Sequence, residues 1–289
     1  MSSSVLPTGL PAKVGVLGGG RMGAGIAHAF LVNGSDVVVV ERDDASAQAA
    51  RERAESSAAT SIERGAAEGD LDEIVSRLTV SVDHADLGDR RLVVEAVPED
   101  RDLKVASLRG VEERLAPGAV LASNTSSLSV SGLADELARP EDFLGLHFFN
   151  PIPASTLIEV VIGRRTRPEL VEQARTWVEG LGKTAVVVND APGFASSRLG
   201  VGIALEAMRM VEEGVASAED IDNAMVLGYK HPTGPLRTTD IVGLDVRLRI
   251  AEYLHETLGE RFAPPRVLRE KVTRGELGRK TGQGFFDWS

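Results

Sequence analysis

Cysteine is absent from all 289 residues of the chain. That removes disulfides, thiolate catalysis and cysteine-based zinc sites together, and no metal site is assigned. No apolar run approaches the ~20 residues needed to cross a bilayer. The start, MSSSVLPTGL, lacks the basic and apolar stretches of a signal peptide. It reads as a short flexible tail, and the cytoplasm is the expected location, with no membrane partner. Positive charge is in deficit: 32 Lys and Arg against 43 Asp and Glu leave a net charge of −11. A polyanion such as DNA is repelled by such a surface, so no nucleic-acid partner is expected. An anionic small ligand then needs local compensation, from helix N-termini or a few basic side chains. There is no internal repeat or low-complexity segment. A content of 43% hydrophobic and 26% charged residues suits an ordinary folded protein.

The apolar pattern alternates between strand and helix. A short run at 13–17 leads into Gly18-Gly19-Gly20-Arg21-Met22-Gly23, and a helical spacing follows until Asn33-Gly34. Residues 37–40 are four consecutive valines, as in a strand covered on both faces of a parallel sheet. A long exposed helix is predicted over 45–69. Further strands are predicted at 78–82, 92–97, 120–123, 143–148, 157–162 and 184–188, with helices at 101–115 and 168–181 among them. This alternation implies βαβ units. Beyond the turn-rich stretch 189–193 the spacing is helical, over 196–213, 218–227, 244–258 and 266–274. The expected architecture is an α/β, Rossmann-like doubly wound sheet over 1–189, followed by an all-helical domain over 190–289.

Gly18, Gly20 and Gly23 make the pattern G-x-G-x-x-G between a strand and a helix. The first glycine permits a tight turn, the second the approach of a pyrophosphate, and the third close packing of helix on strand. Met22 lies inside the same loop. Glu41 stands 23 positions after Gly18, at the end of the second strand, where a carboxylate binds ribose hydroxyls. It would repel a 2′-phosphate, so NAD is favoured over NADP; Arg42 beside it weakens that preference.

The second cluster is Gly145-Leu-His147-Phe-Phe-Asn150-Pro151, followed by Leu157-Ile158-Glu159-Val160-Val161. A carboxyl inside an apolar run is costly unless paired, and a strand–loop–strand arrangement brings Glu159 back against His147. Alcohol oxidation needs a base for the hydroxyl proton. Histidine suits, with an ordinary pKa of about 6.5, and a carboxylate on its other nitrogen fixes the tautomer. His28, His84, His231 and His255 are read as structural. The two phenylalanines after His147 are read as an apolar lining that favours an acyl thioester. Ser123-Asn124-Thr125-Ser126-Ser127 follows a strand, where ligands of open α/β sheets bind. Its amide and hydroxyl donors suit nicotinamide and a substrate oxygen, with a helix cap as the alternative.

Taken in order, VGVLGGGRMGAGIA, VVEAVPED, ASNTSSLSV, GLHFFNP, APGF and LGRKTGQGFFDW closely resemble the 3-hydroxyacyl-CoA dehydrogenase family, in particular the bacterial 3-hydroxybutyryl-CoA type, over residues 13–288. The resemblance implies NAD-dependent, reversible oxidation of (S)-3-hydroxyacyl-CoA to 3-ketoacyl-CoA. It implies His147 as base, Glu159 as its partner, and Ser126 and Asn150 at the substrate hydroxyl. It also implies cofactor contacts at Glu99, Lys104 and Asn124, and a helical domain that closes over the substrate and forms a homodimer. Ser197 stands where relatives commonly carry Asn, with a shorter reach. Arg53 and Arg64 are candidates for the CoA phosphates. Within the family, 3-hydroxybutyryl-CoA and 3-hydroxyadipyl-CoA are both open as substrates. Outside it, a gulonate-type dehydrogenase of free hydroxy acids and a catalytically silent NAD-binding sensor or structural protein stay open.

Overall fold

The structure, a computed structural model, describes residues 6–289. The first half of the expected tail, residues 1–5, lies outside the described residues. The second half is not a tail. Leu10 is buried and sits against α6 (Pro168–Gly180), where a Cβ at Gly180 would stand 2.7 Å from it. Two compact units divide the chain, one ending at Asp190 and the other beginning at Ala191.

The first unit is an eight-stranded sheet of order β3-β2-β1-β4-β5-β6-β7-β8. Its strands are β1 (Lys13–Leu17), β2 (Asp36–Val40), β3 (Leu78–Ser81), β4 (Leu92–Glu95), β5 (Val120–Ser123), β6 (Phe143–Phe148), β7 (Leu157–Ile162) and β8 (Thr184–Asn189). The first six are parallel in the order 3-2-1-4-5-6, the doubly wound arrangement. β7 runs antiparallel to β6, and β8 parallel to β7. The valines of β2 are buried on both faces, as their continuous run requires.

Alternation along each strand separates two faces. On one, Val14, Val39, Val94, Ala122, Leu146 and Val160 join a core covered by α1 (Arg21–Val32), α2 (Asp44–Glu63) and α6. On the other, Glu95, Ser123, His147 and Glu159 take the alternate positions. That face carries α4 (Arg101–Glu112) and α5 (Val130–Ala134), the latter close enough that a Cβ at Gly145 would meet Val130 at 2.9 Å.

α2 is neither as long nor as exposed as its composition suggests. Asp43 caps its start by accepting from Ser46 N at 2.7 Å, and Gly65 ends it at a φ of 66°. Ala50, Ala54 and Ala58 form a buried stripe so narrow that the helix still reads as polar. Short helices escaped periodicity altogether: α3 (Leu71–Ser76) and α5 each begin on a side-chain cap, Asp70 and Ser129.

The second unit packs α7 (Ser196–Glu212), α8 (Ala218–Asn223), α9 (Pro235–Val242), α10 (Leu244–Leu258) and α11 (Arg266–Thr273) around a core that includes Val201, Leu205, Met208, Leu236, Leu254 and Leu268. The helix expected over 218–227 stops at Asn223 and gives way to a π-turn, Ala224–Gly228. α9, unpredicted, is bounded by Pro235 and by Gly243 at a φ of 107°. It carries Asp240, fully buried, whose carboxylate accepts from Phe285 N and Phe286 N, both at 2.9 Å, and from Trp288 Nε1 at 2.8 Å. This one side chain ties down the C-terminal segment GFFDW.

Each of those bonds is to a charged acceptor, worth about 1.5–3 kcal/mol. Asp240→Ala is therefore expected to destabilise the chain by about 3 kcal/mol or more in urea unfolding. The Trp288 environment should be disturbed even before the main transition. Unchanged stability would show that the tail is held by other contacts.

Candidate active site

The glycine loop joins β1 to α1. Gly18 N donates to Val40 O at 2.8 Å, which pins the loop to β2, and Gly18 adopts a φ of 89°. Gly23 allows the closest approach: a Cβ there would lie 1.7 Å from Gly18 O. Gly19 is required as well, since its Cβ would fall 2.3 Å from that of Ala50 on α2. At Gly20 a Cβ would meet nothing within 4 Å, so the backbone there faces open space. The first turn of α1 has neither a side-chain cap nor an acidic residue. Its exposed N–H groups and positive dipole end are suited to a pyrophosphate. Glu41 accepts from Gly19 N at 2.6 Å and from Arg42 N at 3.1 Å, placing a carboxylate beside the loop. Arg42 makes an exposed pair with Asp43, at 3.0 Å. The residues present fit a dinucleotide without a 2′-phosphate.

One strand inward, Glu99, Lys104 and Ser123, named from the sequence, gather around Glu95, which sequence reasoning missed. Glu95, fully buried, accepts from Lys104 Nζ at 2.6 Å, Ser123 Oγ at 2.6 Å and Val97 N at 2.7 Å. Burial pushes its carboxyl above the ordinary range, against the pull of Lys104 and the other donors. Lys104, 1% exposed, directs its remaining hydrogens to Val97 O at 3.1 Å and Glu99 at 3.3 Å. Burial alone would raise Glu99 too. Lys104 and donors from Thr125, Ser127 and Ser126 N outweigh it and hold this carboxyl below its usual value. Glu99 Oε1 accepts from Thr125 Oγ1 at 2.6 Å and from the amides of Ser126 and Ser127 at 3.0 Å. It thereby organises the turn on which Ser126 stands. The signal available in the sequence was Glu95 itself, a carboxyl ending an apolar strand, read only as part of a motif.

His147 and Glu159 face each other directly in the β6–β7 ladder. Nδ1 lies 2.8 Å from Glu159 Oε2, with His147 6% exposed and Glu159 fully buried. A carboxylate only accepts, so Nδ1 carries the hydrogen and Nε2 is the basic nitrogen. Phe149 packs on the imidazole, with ring centroids 4.3 Å apart. Phe148 does not line this site: alternation turns it into the main core, where it is 3% exposed. Asn124 Oδ1 accepts from Phe148 N at 2.8 Å, which fixes its amide at the end of β6. Ser126 is half-buried on the adjoining turn, and Asn150 is exposed just beyond the strand.

The two arginines proposed for CoA do not form one cluster. Arg53 Nη1 donates to Gly19 O at 3.3 Å, at the dinucleotide loop. Arg64 lies eleven residues on, about 16 Å further along a helix axis. Ser197 lies in the first turn of α7, in the second unit. His28 is buried with Nε2 2.9 Å from Ser61 Oγ. Among the described residues no group of three or more His, Cys, Asp or Glu could hold a metal, and no helix is long and apolar enough to cross a membrane.

Two expectations follow from this geometry. Gly20→Ala should leave stability within about 0.5 kcal/mol yet weaken dinucleotide binding, because its Cβ enters the ligand's space. Gly23→Ala should lose both stability and binding. Calorimetric titration and thermal unfolding of the two variants separate these outcomes, and equal losses of stability would refute the assignment. Lys104→Met should cost about 3–5 kcal/mol near neutral pH, because Glu95 is then an unpaired buried charge. Glu95 is raised already, so this deficit shrinks as pH falls toward its folded value and grows as pH rises above it. A deficit independent of pH would show that the charge of Glu95 is not its source.

The family model of the 3-hydroxyacyl-CoA dehydrogenase NAD-binding domain matches residues 13–191, and that of the C-terminal domain matches 193–288. A probable 3-hydroxybutyryl-CoA dehydrogenase of Deinococcus radiodurans is 39% identical, covering 96% of this chain and 100% of its own. The 3-hydroxybutyryl-CoA dehydrogenase of Mycobacterium tuberculosis is 40% identical, over 96% and 98%. The crystal structure of the (S)-3-hydroxybutyryl-CoA dehydrogenase of Ralstonia eutropha superposes with a TM-score of 0.92 at 36% identity, covering 96% of this chain and 99% of that one. With a dinucleotide loop fitted to NAD and both domain models matched in order, the chain belongs to the NAD-dependent 3-hydroxyacyl-CoA dehydrogenases.

Proposed function

We propose that the chain interconverts short-chain (S)-3-hydroxyacyl-CoA and 3-ketoacyl-CoA thioesters, 3-hydroxybutyryl-CoA foremost, with His147 as the acid–base group. The observation that carries this reading is the buried His147–Glu159 pair at the end of β6. NAD supplies the hydride acceptor when bound. The chain's own part is proton transfer and alignment. His147 Nε2 takes the proton of the 3-hydroxyl, and Glu159 on Nδ1 holds the tautomer and stabilises the imidazolium that results. The Ser126 hydroxyl and the Asn150 amide hold the substrate oxygen as it becomes a carbonyl, and Phe149 excludes water from one side of the ring. Asn124, whose Oδ1 is committed to Phe148 N, offers its NH2 to the nicotinamide amide. Glu99 and Lys104 act here as positioning residues for the Thr125–Ser127 turn. Gly18, Gly20, Gly23 and Met22 form the pyrophosphate loop, with Glu41 for the ribose and Arg53 bracing the loop.

Arg64, exposed at the end of α2, is assigned to the CoA phosphates, and Ser197 is assigned a substrate hydrogen bond. A second copy of the chain is the assigned partner, through the helical unit. Exposed Leu199, Leu227 and Tyr229 support that assignment. The net charge of −11 favours a small ligand held by local dipoles over a nucleic acid, and the cytoplasm is the assigned compartment.

His147→Gln should lower acetoacetyl-CoA-dependent NADH oxidation by about 10³-fold, and Glu159→Gln by about 10²-fold. NADH affinity should stay within about twofold of the parent in both, since neither group touches the dinucleotide loop. Wild-type turnover in the His147 variant would end this mechanism.

A further inference from the structure

α10 presents one buried stripe to its unit: Leu244, Arg247, Ala251 and Leu254. The spacing i, i+3, i+7, i+10 is that of an apolar seam, and its second position is an arginine. Arg247 is 9% exposed, and its Nε is buried without a hydrogen-bond partner. No side-chain hydrogen bond or ion pair ties its guanidinium to any described residue. The guanidinium lies along α7, where a Cβ at Gly200 would stand 3.6 Å from Nη1. The acids nearest it in sequence are engaged: Asp245 holds Lys280 at 2.6 Å, and Glu252 holds Arg269 at 2.6 Å. Burial draws the Arg247 pKa down to about 10, which still leaves it charged near neutrality. Burying most of a charge with no protein partner is costly, and an apolar side chain of like volume would fill such a seam more stably; the two Nη nitrogens are not sealed as Nε is. The fold therefore keeps a cation where its own packing has no use for one.

We propose that Arg247 anchors a carboxylate-binding subsite in the helical unit, taking one planar carboxylate through paired hydrogen bonds to the guanidinium. The fork of the guanidinium matches a carboxylate edge to edge. A position within an apolar seam suits a small anion carried on a hydrocarbon chain better than a strongly hydrated phosphate. Gly200, against which the guanidinium rests, lies one turn after Ser197 on α7. The subsite thus adjoins the stretch of helix to which a substrate contact is assigned. Two sources share this chemistry. One is the far end of a dicarboxylic acyl-CoA, which rests on the dehydrogenase reading above; the other is a separate dicarboxylate.

The test compares the full chain with Arg247→Met and Arg247→Lys. Adipate, against chloride at equal ionic strength, should raise the thermal midpoint of the parent and leave that of Arg247→Met unmoved. Arg247→Lys should respond partially. Without adipate, Arg247→Met should be at least as stable as the parent. In the kinetic arm, if the source is the substrate, Arg247→Met loses about 10- to 100-fold in kcat/KM for 3-ketoadipyl-CoA and keeps its rate with acetoacetyl-CoA. If the source is a separate ligand, both rates hold and the adipate shift persists. An adipate shift equal in parent and variant, or neither an adipate shift nor a selective kinetic loss depending on Arg247, overturns the proposal. So does an equal loss with both thioesters. A parent inactive on both thioesters counts against the dehydrogenase reading alone, because the adipate arm reads the subsite without turnover.

Discussion

Two carboxylates are buried on one face of a single sheet, and each is held there by a basic side chain from a different segment. Glu95 is met by Lys104 from α4, and Glu159 by His147 across the β6–β7 ladder. A carboxylate removed from water costs several kcal/mol unless it is paired and its remaining lone pairs are satisfied. That requirement fixes more than the two pairs. Glu95 also gathers Ser123 Oγ and Val97 N, so the ends of β4 and β5 and the start of α4 are held to one point. Lys104 passes the constraint on to Glu99, and Glu99 to the amides of the Ser126 turn. The placement of the Thr125–Ser127 turn thus follows from charge neutralisation one strand away.

The pairs differ in what they leave undone. The three hydrogens of Lys104 are matched by Glu95, Val97 O and Glu99, so the ammonium is fully committed to the scaffold. The imidazole of His147 meets its carboxylate through Nδ1, and imidazole is the side-chain type suited to acid–base exchange. In the proposed mechanism one pair is scaffold and the other is chemistry, although both are a buried acid beside a base. Position in the sheet separates them: Glu95 ends a strand beneath the loops, and His147 stands where β6 opens onto them.

The sheet was legible because its signals are local. Four valines in succession can only be a doubly covered strand, and G-x-G-x-x-G after a strand has one economical use. His147 and Glu159 were legible because an acid inside Leu-Ile-x-Val-Val is anomalous wherever it lies. What stayed hidden depends on partners distant in sequence. The alanine stripe of α2 is too small to mark a buried face by composition. The helices α3, α5 and α9 are defined by caps and bounding residues, over six, five and eight residues, rather than by periodicity. Phe148 was read as lining because strand parity was not followed to the end of β6. Asp240 sits on a helix that periodicity did not reveal, and its partners stand 45 to 48 residues further along the chain.

Net charge adds a last constraint. A chain at −11 that binds a pyrophosphate and an acyl-CoA cannot rely on a broad basic surface. The glycine loop meets this with backbone N–H groups at a helix N-terminus that carries no acid. These are fixed partial charges, with no side-chain entropy to lose and no desolvation of a full cation. Glu41 holds Gly19 N in place, and on the proposed reading a carboxylate there discourages a further phosphate on the ribose. On that reading, discrimination between dinucleotides is built from repulsion, which a negative protein supplies at little cost, and binding from dipoles, which its net charge does not cancel.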